Sequence, residues 1–145
     1  MRVTNLLLHI AAVILMLPDL LFVGINTLMG LAYCNLIELI EVGLANLIIC
    51  AAGLTSSVGE VIQFAKYKST RPNVYMRRQL ISHGLSALWF ALAVGYIIRV
   101  HIHSTYNHEY GFSLYINLLG FVLSLVAIVL NIIFGIRRIK KAKLQ

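Results

Sequence analysis

The sequence predicts an all-α integral membrane protein, a four-helix bundle with both termini cytoplasmic. Three observations carry this. First, 60% of the 145 residues are hydrophobic and only 12% are charged, too few polar residues to cover a soluble fold. Second, the apolar residues gather into four segments, each at least as long as the roughly 20 residues that cross the hydrocarbon. Third, nearly all basic residues fall on one side of that four-span layout, the bias that places them in the cytoplasm. Residues 1–145 read as a single four-span transmembrane domain. Lipid offers the backbone no hydrogen bonds, so each span is expected to be a helix. A transmembrane barrel would need alternating segments of about ten residues, and the sequence has none.

Span one covers about residues 6–29. Arg2 ahead of an apolar run resembles the start of a signal peptide. The run outlasts the core of a signal and lacks a clean small-x-small cleavage site, so a retained helix is expected. Within it, "ILMLPDLLF" sets Asp19 directly after Pro18. Proline removes a backbone donor and frees the carbonyl of Ile14, so the Pro–Asp pair marks a kink candidate.

Span two covers about residues 36–64 and follows the tight turn "MGLAYCN". Folding the hairpin about Tyr33 sets Asp19 opposite Asn46, which predicts a hydrogen bond between them. Glu38, Glu41, Ala45, Gly53, Ser56 and Glu60 share a face. Three acids on one face turn from lipid toward the interior or water. Glu60, near the cytoplasmic end, is within reach of Arg77 or Arg78.

Span three covers about residues 80–103 and follows the basic loop "KYKSTRPNVYMRR", where Pro72 and Asn73 offer turn chemistry. Arg99 alone breaks the charge bias. It lies at the depth of Glu38 and Glu41, so a salt bridge to one of them is expected. The simpler alternative is that all three side chains snorkel to the outer surface.

Span four covers about residues 112–136. Asn117, Gly120, Ser124, Asn131 and Gly135 fall within roughly 60° of arc. Small and amide residues on one stripe let membrane helices approach and hydrogen-bond, so this is the expected packing seam. Leu119, Val122, Val126, Val129 and Ile133 form the opposite, lipid-facing side.

The net charge of +7 is thus a topology signal, and no separate basic domain exists to bind nucleic acid. Cys34 and Cys50 lie about 24 Å apart on one helix, too far for a disulfide. The "HIHSTYNHE" stretch reads as a polar outer loop. His101 and His103 diverge on a helix, so no metal site is expected. His9 and His83 sit at equal depth on different spans, an arrangement that could clamp a haem. No nucleophile–base set or phosphate loop is visible, so neither an enzyme nor a resident cofactor is expected.

The tail ends Lys141-Ala142-Lys143-Leu144-Gln145. Lys141 and Lys143 look like the K-x-K-x-x retrieval signal of endoplasmic-reticulum membrane proteins. In a eukaryote this implies the endoplasmic reticulum or another endomembrane. The span layout is similar to MARVEL-type and other tetraspan vesicle proteins. That likeness is of layout alone, and the outer loops lack the paired cysteines of several tetraspan families.

Three functional readings remain. The leading one is a scaffold, trafficking or accessory subunit acting through helix–helix contacts, its partners the lipid bilayer and another membrane protein or a second copy. The second is a proton- or cation-coupled transporter or channel using the intramembrane polar set Asp19, Asn46, Glu38, Glu41 and Arg99. The third is a membrane haem protein using His9 and His83.

Overall fold

A computed structural model describes residues 2–32, 44–64, 71–103 and 111–144. It is all-helical, with α1 over Arg2–Ala32, α2 over Ala45–Ile62, α3 over Pro72–His103 and α4 over Gly111–Lys143. Helices α1, α3 and α4 are long and apolar enough to cross a membrane, while the apolar stretch of α2, Asn46–Ile62, is shorter. The chain is membrane-embedded by this measure.

Three helices run past the spans that hydropathy marked. Helix α3 begins at Pro72, not at residue 80, so much of the expected loop is helix. Proline suits the first helical turn, where its missing N–H has no partner to lose and its φ is preset. Helix α4 continues through the basic tail to Lys143, because arginine and lysine are good helix formers. Helix α1 begins at Arg2 and runs unbroken through Pro18.

Consecutive helices pack against one another, most extensively α3 on α4, and α1 closes the set against α4. The interior is an apolar layer of Met16, Cys50, Trp89 and Phe90, all fully or almost fully buried. Glycine makes two of its contacts feasible. A Cβ on Gly120 would stand 2.5 Å from the Phe90 ring, and one on Gly53 would meet Met16 at 3.2 Å. The ring therefore lies on bare backbone, the close approach that small residues permit between membrane helices.

The seam residues Asn117, Gly120, Ser124, Asn131 and Gly135 are all buried. Gly135 receives the Met76 side chain of α3. Leu119, Val122, Val126, Val129 and Ile133 are exposed. Ser124 donates back to the Gly120 carbonyl at 2.8 Å, which satisfies its hydroxyl within its own helix. On α2 the interior face is carried by Cys50, Gly53 and Ser57, while Ser56 is only half-buried.

Candidate functional site

A polar layer crosses the helices at the end where α1 and α3 begin and α2 and α4 finish. Asn5 sits three residues into α1, and Asn131 lies one turn before the basic tail of α4. Their amides face each other reciprocally. Asn5 Nδ2 donates to Asn131 Oδ1 at 2.8 Å, and Asn131 Nδ2 donates to Asn5 Oδ1 at 2.9 Å. The second hydrogen of Asn5 goes to the Tyr75 hydroxyl at 2.9 Å, and that of Asn131 to the Ala127 carbonyl at 2.8 Å. Both side-chain donor groups are used and each oxygen is paired, the condition under which buried amides are stable.

One turn deeper, a second chain of groups begins at Glu60 of α2. Gln79 Nε2 donates to Glu60 Oε2 at 2.6 Å. Gln79 Oε1 meets His9 Nε2 at 2.8 Å. When Glu60 is ionised, the state that Arg78 favours, its carboxylate can only accept and holds the Gln79 amide with its NH2 toward it. The amide oxygen then faces His9, which donates. In that state His9 is the Nε2–H tautomer, and its Nδ1, buried without a partner, carries the lone pair. Arg78 approaches Glu60 at 4.0 Å.

The His9 ring stacks on His83 of α3, with centroids 4.1 Å apart and planes 5° from parallel. His83 Nε2 and Ser82 Oγ are also buried without a partner. This pair does not fit a haem. Bis-histidine ligation points one nitrogen of each ring at an iron between them. Parallel rings in face contact leave no gap for a porphyrin, and His9 Nε2 is committed to Gln79. Among the described residues no group of three or more histidine, cysteine or acidic side chains could hold a metal.

Arg2 fastens this end. Its Nε donates to the Phe64 carbonyl at 3.1 Å, and its guanidinium lies 4.0 Å from the Phe64 ring. A cation at the C-terminal end of α2 complements the helix dipole there. Between Arg2 and His9 lies a small cleft, lined also by Asn5, Glu60, Tyr75 and Gln79, with room for little more than a water molecule.

Asp19 sits about 15 Å farther along α1 than His9. Its carboxyl faces the Asn117 and Ser113 side chains of α4, neighbours that the hairpin register did not name. Helix α1 packs on both α2 and α4, so depth matching along one hairpin finds only some of them. Asn46 is half-buried at the start of α2. Asn117 Nδ2 donates to the Ser113 carbonyl at 2.9 Å. Asp19 Oδ2 and Asn117 Oδ1 are both buried without a partner.

Arg99 is exposed on α3; Glu38 and Glu41, its expected partners, lie outside the described residues. Lys141 is exposed on the final turn of α4, and Lys143 is its last residue. Asn5, Tyr75 and Gln79 were missed by the sequence reading because they fall outside the hydropathy-marked spans. A signal did exist: Asn5 and His9 lie on one face of α1, and Gln79 and His83 on one face of α3, at spacing i, i+4.

Compared with protein-family models, with curated proteins and with solved structures, the chain matches none.

Proposed function

We propose that the chain is a small multi-pass membrane protein acting through helix–helix interactions, as a scaffold, trafficking or accessory subunit. Its partner is another membrane protein or a second copy. In this reading four spans cross the bilayer as a bundle, with both termini and the basic end in the cytoplasm. A retrieval signal at Lys141 and Lys143 then keeps it in the endoplasmic reticulum of a eukaryotic cell.

The observation that supports this reading is the packed layer of Met16, Cys50, Trp89 and Phe90. It lies between the histidine level and the Asp19 level, so an apolar barrier divides the two sets of polar groups. Most polar side chains at the basic end bond to one another across helices, leaving outward apolar faces such as Val122, Val126 and Val129 for lipid or a partner. The test is a photo-crosslinking residue at Val126 or Val129 in native membranes. A reproducible adduct with one membrane protein, or with a second copy, is expected. Adducts with lipid alone overturn the reading.

One observation favours the proton-coupled alternative. Glu60, Gln79, His9 and His83 form a contiguous chain from the basic end inward, and ionisable groups inside a membrane are commonly functional. Liposomes holding the protein should show no proton flux above empty ones. A flux that His9→Phe abolishes would put the transporter reading ahead.

A further inference from the structure

The basic end carries more cations than its interior uses. Arg71, Arg77, Arg137, Lys140 and Lys141 are exposed and form no ion pair among the described residues. Among the described residues the only acid at this end is Glu60, turned inward to Gln79 and Arg78. Helices α3 and α4 both reach this end: Gly135 packs on Met76, the Arg138 guanidinium lies 5.6 Å from the Tyr75 ring, and the exposed cations stand on the outward faces of the two helices.

These cations share helix faces with exposed apolar side chains. On α3, Val74, Arg77, Arg78 and Ile81 stand at i, i+3, i+4 and i+7, one face of a helix, and all four are exposed. On α4, Ile133, Ile136, Arg137 and Lys140 repeat that spacing, again all exposed. The Arg137 guanidinium also lies 5.9 Å from the Phe134 ring, at the border between the two kinds of surface. On α4 the isoleucines lie inward of Arg137 and Lys140, so hydrocarbon gives way to charge along the strip; on α3 the inward apolar residue is Ile81, and Arg77 is the exposed cation outside any ion pair among the described residues. A soluble anion would use only the charge. Nucleic acid would leave the isoleucines and valine against a polar backbone.

We propose that each strip binds anionic phospholipid, the phosphate seated on Arg77 at the first and on Arg137, Lys140 and Lys141 at the second, the acyl chains lying against Ile81 and along Ile133–Ile136. Juxtamembrane cations draw anionic lipid by direct charge attraction, and the apolar strips fix the headgroup at the depth of the cations. The site is independent of the partner proposed above.

The test uses the full chain in nanodiscs of phosphatidylcholine, with and without phosphatidylserine, read by thermal melting and by the lipids that stay bound in native mass spectrometry. The wild type should melt higher with phosphatidylserine and retain it over phosphatidylcholine by about tenfold or more. The combined variant Arg77→Gln, Arg137→Gln, Lys140→Gln and Lys141→Gln should melt as wild type in phosphatidylcholine and lose most of the preference. Because all four side chains are exposed, normal folding of the variant is expected and the phosphatidylcholine melt checks it. A second variant, Ile81→Ser with Ile133→Ser, keeps every cation and should lower retention by a smaller factor. Equal retention of the two lipids by the wild type, or a preference unchanged in the glutamine variant, overturns the proposal. Equal protection by inorganic phosphate in neutral nanodiscs also overturns it, in favour of a soluble anion.

Discussion

Two buried polar regions, built from similar residues, solve the same problem differently. At the basic end, Asn5 and Asn131 come from different helices and exchange both amide bonds. At the far side of the apolar layer, Asn117 turns its NH2 to a carbonyl of its own helix, and its oxygen is left buried and unpaired beside Asp19, whose Oδ2 is unpaired too. The first region ties α1 to α4 through neutral groups that complete each other. The second leaves one oxygen of Asp19 and the oxygen of Asn117 buried without a partner. Burial of a polar group is tolerable only with a partner, so the first region should be rigid and intolerant, the second improvable.

The largest break in this contrast is Asn131→Leu. It strands the Asn5 oxygen and one amide hydrogen in the interior, the other hydrogen still going to Tyr75, and should destabilise by about 3 kcal/mol, measured by unfolding in detergent micelles. Adding Asn5→Leu should recover much of that loss, since replacing both partners by apolar groups removes the stranded amide. A double variant no better than the single one would show that the amide pair is not a closed unit.

Next comes the layer that separates the regions. Gly120→Ala puts a methyl into the wholly buried Phe90 ring, and overpacking of this kind should cost about 2 kcal/mol. Gly135→Ala should cost less, because the atoms it meets belong to Met76, whose flexible chain can move aside. Equal losses would mean that Phe90 is freer to shift than its burial implies.

At the second region, Asp19→Asn should stabilise by about 1 kcal/mol, because the new amide can donate to Asn117 Oδ1 and remove one unpaired acceptor. A loss of stability would show that the carboxyl group itself is needed there.

The smallest effect on stability belongs to the histidine chain, and its readout is spectroscopic. Nitrogen-15 NMR should show His9 protonated at Nε2 alone. Glu60→Gln lets the Gln79 amide turn over, and a mixture of His9 tautomers should appear with little change in unfolding. A single unchanged tautomer in that variant would remove Glu60 from its control.

By itself the sequence determined that the chain is helical and membrane-embedded, because hydropathy and backbone hydrogen bonding in lipid allow little else. It also showed which side of α4 carries the small and amide residues, since helical periodicity is a local property. It did not place helix ends. Pro72–Gln79 and the basic tail look polar, yet both are helix, because hydropathy reports the solvent a residue meets and not the backbone it adopts. For that reason Asn5, Tyr75 and Gln79 were passed over as material outside the spans. Only the tertiary structure decided partnerships. Depth along a hairpin brings several residues to one level, and the approach of Asn117 to Asp19, or the ring stacking of His9 and His83, depends on which helices touch and how each is rotated. Those are set by the summed packing of four helices, including Phe90 on Gly120 and Met76 on Gly135, and no single stretch of sequence encodes them.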